Sequence, residues 1–218
     1  MFLIFGIVFL IIFIIYLKFG INLKIKWKTF FKKGFTPISS RYGVYCYCGK
    51  QGCGKTYSVV EFLKNESKNK KIYANIKSIK GVDYTYFEGF DELLKISDSN
   101  CIIVYDEIFS ALTKSSKINQ DVLSFLSQMR KRKVVFLTTA QEWLEINITL
   151  RRYCRYEIEC NMLNFFGIGI LKKTMYDAEQ MKWSQQDNEY IAPLIDTTIS
   201  KCNYYIANSY DTFEQIKT

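Results

Sequence analysis

The stretch GVYCYCGKQGCGKTYSVVEFLK, residues 43–64, decides how the rest of the chain is read. Its centre, Gly49-Lys50-Gln51-Gly52-Cys53-Gly54-Lys55-Thr56, has the form G-x-x-x-x-G-K-[ST]. Glycines at these positions let the backbone wrap so that its N–H groups converge on phosphate oxygens. The apolar run Gly43–Cys48 before it predicts a strand. The segment after it, to about Lys64, predicts a helix whose positive end adds to the anion site. Strand, loop and helix in this order are the context the motif requires. Lys55 is placed to reach the β- and γ-phosphates of a nucleotide, and the Thr56 hydroxyl to hold Mg²⁺.

Working outward, Cys101-Ile-Ile-Val-Tyr-Asp106-Glu107 is a wholly apolar strand ending in two acids. Such a strand delivers one carboxylate, Asp106, to the magnesium shell. It sets the next, Glu107, where it can orient and deprotonate a water molecule. The run Leu137-Thr-Thr-Ala-Gln141 ends a further apolar strand, with Gln141 as candidate sensor of the terminal phosphate. A helix N-cap by Thr138 or Thr139 is the competing reading of its hydroxyls. Arginines cluster at Arg130-Lys-Arg-Lys133 and at Arg151, Arg152 and Arg155. Arg151 is the first candidate for a finger that completes a neighbouring subunit's site. The other cations suit nucleic-acid phosphates or simply cap a helix C-terminus. No N-K-x-D-like base-reading motif is present, so GTP is the weaker nucleotide.

Strands at 71–76, 101–105 and 133–139 alternate with helices at 90–97 and 119–130, which predicts an α/β fold with a mainly parallel sheet flanked by helices. Beyond Tyr153 the pattern turns to short strands, at 156–160, 165–171 and 203–207. The seven cysteines are odd in number and irregular in spacing, and read as small core residues in a reducing compartment. With no histidine, a His triad, a His metal site and a His general base are excluded.

Residues 1–17 carry no charge, and residues 1–41 hold seven cations and no acid. Of the formal charge of +9, only +2 therefore belongs to the remaining residues. An N-terminal transmembrane helix over 1–21 is expected, followed by a basic juxtamembrane linker over 22–41 whose lysines suit anionic headgroups. The globular domain then occupies 42–218. The lysines after the apolar stretch place the domain on the cytoplasmic side of the host cell membrane, in a single-pass arrangement.

The residues Gly49–Thr56, Tyr73-Ala-Asn75-Ile, Ile103-Val-Tyr-Asp-Glu107, Gln128-Met-Arg130 and Leu137–Gln141, with Tyr210-Asp-Thr as a weaker match, resemble the zonular occludens toxin-like ATPases of filamentous phages. That family lies within the FtsK/HerA-type group of DNA-translocating ATPases. The resemblance covers roughly residues 43–160. It implies ATP and Mg²⁺ as cofactors, phage or plasmid DNA as partner, and a homo-oligomer, a hexamer by analogy. Virion or secretion proteins are further partners it implies. The phage assembly proteins usually place the ATPase before the membrane span, whereas here the apolar stretch comes first. The rival readings are a nucleotide-bound membrane scaffold with little turnover and a P-loop nucleoside or nucleotide kinase.

Overall fold

The computed structural model describes residues 6, 7, 9–12, 14, 42–66, 70–108, 112, 118–165, 168–185 and 189–211. Strand β1 (Gly43–Cys48) leads through the glycine loop into helix α1 (Lys55–Glu66). Then follow β2 (Lys71–Ala74), β3 (Thr85–Tyr86), α2 (Gly89–Lys95), β4 (Cys101–Tyr105), α3 (Gln120–Gln128) and β5 (Val135–Ala140). A short 3-10 turn at Trp143–Glu145 precedes α4 (Ile148–Tyr153), β6 (Cys154–Phe165) and β7 (Ile168–Asp177). The small ribbon β8 (Lys182–Ser184) and β9 (Glu189–Ile191), then β10 (Leu194–Lys201) and α5 (Tyr204–Ala207), complete the described chain.

Eight strands form one sheet in the order β10-β7-β6-β1-β5-β4-β2-β3. From β6 to β3 every pairing is parallel, while β7 and β10 are antiparallel additions. The central strands are buried on both faces, which is why their sequences read as continuous apolar runs rather than alternations. Tyr45 and Tyr47 of β1, Ile102 and Val104 of β4, and Val135 and Leu137 of β5 pack with α1 on one face. Val44, Cys46, Cys48, Ile103, Tyr105 and Phe136 face the other layer, with Leu93 of α2, Val122, Phe125 and Leu126 of α3 and Leu150 of α4. All seven cysteines are free thiols; five are buried and Cys53 and Cys202 half-buried.

The α/β class with a mostly parallel sheet between helices is as expected. Three local expectations are corrected. The segment 165–171 is not one strand, because β6 ends at Phe165 and β7 starts at Ile168, making a hairpin. The segment 203–207 is the helix α5, not a strand, since the Asn203 side chain accepts from the Tyr205 N–H and caps it. Strand β2 stops at Ala74 rather than Ile76, although the Asn75 N–H still donates to the Val104 carbonyl at 3.3 Å.

Among the described residues no helix is long and apolar enough to cross a membrane. The expected span over 1–21 falls mostly outside them. Its described positions are helical, with Ile7, Phe9, Leu10, Ile12 and Ile14 exposed. The expected linker over 22–41 lies outside them entirely, as do residues 212–218 of the expected domain.

Candidate nucleotide site

The glycine loop sits at the C-terminal end of β1, next to the ends of β5 and β6. The Gly49 N–H donates to the carbonyls of Ala140 (3.3 Å) and Gln141 (3.0 Å), which ties the loop to the end of β5. Gly49 has φ +144°, and a Cβ there would lie 2.6 Å from the Cys160 carbonyl oxygen and 2.5 Å from Cys53 Sγ. Gly54 has φ +91°, and its Cβ would lie 2.6 Å from Met162 Cε and 2.9 Å from Leu171 Cδ1. Both positions demand glycine twice over, through backbone conformation and through close approach. The β6–β7 hairpin thus presses one wall of the loop. Strand β6 is paired with β1 only as far as Cys48, and its last residues run on past the loop.

Lys55 Nζ donates to the Gly49 carbonyl at 2.7 Å and to the Lys50 carbonyl at 3.2 Å, so its ammonium lies within the loop's curve. The Thr56 hydroxyl donates to Asp106 Oδ2 at 3.0 Å. This joins the first turn of α1 to the end of β4 across the intervening β5. Asp106 is buried, and burial pushes its carboxyl up; hydrogen bonds from Thr139 and Thr56 and the Lys55 charge work in the opposite direction. A carboxylate and a hydroxyl at this separation are hard oxygen donors of the kind Mg²⁺ takes in ones and twos, with phosphate and water completing its shell. Among the described residues no cluster of three or more His, Cys, Asp or Glu could hold an ion by protein groups alone.

The Asp106–Glu107 pair is clamped from both sides. Asn75 grips the Asp106 peptide in two places: it accepts from the Asp106 N–H at 2.7 Å and donates to the Asp106 carbonyl at 3.1 Å. Thr139 donates its hydroxyl to Asp106 Oδ1 at 2.5 Å and accepts from the Glu107 N–H at 2.8 Å. Glu107 itself has φ +56°, a left-handed conformation that costs a non-glycine residue about 1–3 kcal/mol. Its side chain is exposed. Partial burial, then the neighbouring Asp106 charge, raise its carboxyl above the usual glutamate value, while Lys55 lowers it. That Lys55 acts on both carboxyls places them at one site.

Gln141 is exposed immediately beyond β5, its backbone carbonyl bonded to the start of the glycine loop. Thr138 and Thr139 cap no helix: both lie inside β5 and are fully buried, Thr138 donating to the Tyr105 carbonyl at 2.8 Å. Arg151 is turned into its own chain. Its guanidinium carbon is 5.6 Å from the centroid of the Tyr190 ring, its Nε is buried, and it lowers the pKa of Glu157. The side chains of Asn75 and Thr139 were given no place at the carboxylate pair by sequence reasoning. The signal was faint: a polar residue at the end of β2 and hydroxyls in an otherwise apolar β5.

No curated protein sequence matches the chain. Among solved structures, the N-terminal domain of zonular occludens toxin from Neisseria meningitidis is 17% identical, aligns over 78% of this chain and 100% of its own, and gives a TM-score of 0.50. The genome packaging NTPase B204 of Sulfolobus turreted icosahedral virus 2 is 11% identical over 70% of this chain and 98% of its own, with a TM-score of 0.47. A KaiC-like protein from Pyrococcus horikoshii OT3 is 13% identical over 74% and 97%, also at 0.47. At 17% identity the likeness to the first of these is one of fold alone. Residues 45–162, more than half of the chain, match the profile of the ATPase family associated with various cellular activities (AAA). With a phosphate loop, a buried strand-end aspartate joined to it and an adjoining glutamate on those same residues, the chain belongs to the AAA family of P-loop ATPases.

Proposed function

We propose that this ATPase is a membrane-anchored motor or assembly factor that acts on phage or plasmid DNA during packaging, extrusion or transfer, with its ATPase domain on the cytoplasmic side. The observation that carries the reading is Glu107, held in a strained backbone conformation beside the Thr56–Asp106 pair by a hydrogen bond from its N–H to Thr139. A scaffold that merely binds nucleotide has no use for a preset general base, and strain of this kind persists where function demands it. The uncharged stretch 1–17, followed by lysines, supports the anchor. The motifs shared with the phage assembly ATPases support the DNA role, a homo-oligomeric ring and contact with virion or secretion proteins.

In this reading the loop N–H groups and Lys55 bind the triphosphate, and Thr56 and Asp106 hold Mg²⁺. The ion, when bound, neutralises charge on the β- and γ-phosphate oxygens. Glu107 accepts a proton from the water that attacks the γ-phosphorus, the bond from that phosphorus to the bridging oxygen breaks, and ADP and inorganic phosphate leave. Gln141 is placed to sense the terminal phosphate. Arg151 serves a neighbouring subunit's site once it leaves Tyr190.

The test is steady-state ATP hydrolysis by the full-length protein in vesicles, with and without duplex and single-stranded DNA. Turnover without any phosphoryl acceptor, raised by DNA, is expected. Glu107→Gln should keep nucleotide affinity and lose about 10²-fold or more in kcat, and Lys55→Ala should lose tight nucleotide binding. Hydrolysis by Glu107→Gln at the wild-type rate removes the general base from the scheme. Turnover indifferent to every form of DNA removes the motor.

A further inference from the structure

The parallel strands β6, β1, β5, β4 and β2 all begin at one edge of the sheet and carry the ATPase residues at the other. The two edges are separated by the six residues of β1, about 20 Å. The starting edge is lined with cations. The turn between α3 and β5 contributes Arg130, Lys131, Arg132 and Lys133; the last turn of α4 adds Arg152, the start of β6 adds Arg155, and the start of β2 adds Lys70 and Lys71. Some are used inside the fold. Arg132 donates to the carbonyls of Ile96 (2.6 Å) and Asp98 (2.8 Å), Arg130 pairs with Glu179, and Lys71 pairs with Asp98 at 3.2 Å. Of the acids towards this edge, Asp98 and Glu179 are thereby paired and Asp177 accepts from the N–H of Glu179; Glu66 at the end of α1 and Asp196 near the start of β10 also lie here, and the cations outnumber these acids. Lys131, Lys133 and Arg152 are exposed and form no ion pair among the described residues.

The chain enters the domain in the middle of this edge. Arg155 Nη1 donates to the Tyr42 carbonyl at 2.9 Å, Lys70 Nζ stands 5.5 Å from the Tyr42 ring centroid, and Arg155 and Arg130 flank Gly43. Residues 1–41, just upstream of this clasp, carry seven cations, no acid and the uncharged stretch 1–17. From this juxtaposition we infer that the starting edge of the sheet is a docking face for an anionic bilayer surface, with the nucleotide site pointing away from the membrane. The inference rests on the anchor reading above. A tether entering at this edge brings these cations to the headgroups before any other part of the domain. Each exposed Lys or Arg near an anionic leaflet favours the docked state by roughly fivefold. Duplex DNA would also attract the strip, but nothing brings it to this edge in particular.

The experiment uses the full-length protein in phosphatidylcholine vesicles and in mixed phosphatidylcholine–phosphatidylglycerol vesicles, with co-flotation and lysine acylation read by mass spectrometry. Acylation of Lys131 and Lys133 should fall several-fold on the mixed vesicles and recover at high salt, while Lys50, an exposed residue of the nucleotide loop itself, labels equally on both. The variant Lys131→Glu/Lys133→Glu/Arg152→Glu should still float with neutral vesicles. Its Lys70 and Lys71 should lose the difference between lipids. Equal labelling of Lys131 and Lys133 on both vesicle types, with the protein afloat on each, overturns the docking face and leaves the anchor standing. Protection by duplex DNA on neutral vesicles, with no protection by phosphatidylglycerol, assigns the strip to nucleic acid and also overturns it. Failure to float with neutral vesicles overturns the anchor itself and the docking with it.

Discussion

Thr139 makes the smallest change with the largest expected effect. Its hydroxyl is shared between Asp106 Oδ1 and the Glu107 N–H, so it fixes the Asp106 carboxylate and the Glu107 backbone at once. Thr139→Val keeps the shape but removes both hydrogen bonds, worth about 1–3 kcal/mol. We expect kcat to fall roughly 10- to 100-fold with KM for ATP nearly unchanged, and Thr139→Ser to restore it. A matched rise in KM instead would make Thr139 a structural residue only. Glu157 offers a pH test. Burial first, then the neighbouring Glu159, push its carboxyl up to about 7, against the pull of Arg151. Because the folded value lies above the unfolded one, the folded state holds the proton longer. Stability is therefore lost as pH rises from the unfolded value through about 7, and is not lost below it. Glu157→Gln should raise the urea midpoint at alkaline pH and leave it nearly unchanged at acid pH. A benefit that is equal at both ends contradicts the assignment.

At the scale of elements, the phosphate-loop helix and the β6–β7 hairpin behave as one unit. Lys173 of β7 reaches Glu61 of α1 at 2.5 Å, with both side chains almost wholly buried. Met162 and Leu171 of the same hairpin close on Gly54. Removing one charge of such a pair strands the other in the core, at a cost of about 3–5 kcal/mol, whereas replacing both by apolar groups is often neutral. Lys173→Met should therefore lower the unfolding free energy by roughly that amount, and Lys173→Met/Glu61→Leu should recover most of it. Equilibrium denaturation of the single and double variants decides the point; additive losses would show that the two side chains act independently.

For the whole molecule, the question is whether sites are shared between copies. Arg151 packs under Tyr190 in its own chain, so a finger role requires it to swing outward on assembly. A finger supplied in trans is worth about 10³-fold or more in rate. Arg151→Ala and Lys55→Ala proteins should each be nearly inactive. Mixed together, they should regain activity, since some interfaces then pair an intact loop with an intact arginine. Full activity of Arg151→Ala alone removes this arginine as the finger, and a protein that stays monomeric with ATP and DNA removes the ring as well.

The phosphate loop, the strand before it and the acid-tipped strand β4 were legible from residues alone, because each is a local pattern: glycines where the backbone must turn, apolar runs where both faces are buried. The helices α1 and α3 followed from the same kind of local signal, to within a turn. What makes the site was not legible in that way. Asn75 meets Asp106 across 31 positions, Thr139 meets it across 33, and Lys173 meets Glu61 across 112. No local pattern reports which strands become neighbours, and the insertion of β5 between β1 and β4 is what brings Thr139 to the carboxylate pair. The hairpin against the loop was likewise hidden, since β6 carries Glu157, Glu159, Asn161 and Asn164, which break up its apolar run. Residue chemistry by itself determined where a glycine-rich loop of the phosphate-binding pattern would lie. Only the order of strands in the sheet decided which side chains would hold Asp106 and Glu107 in place.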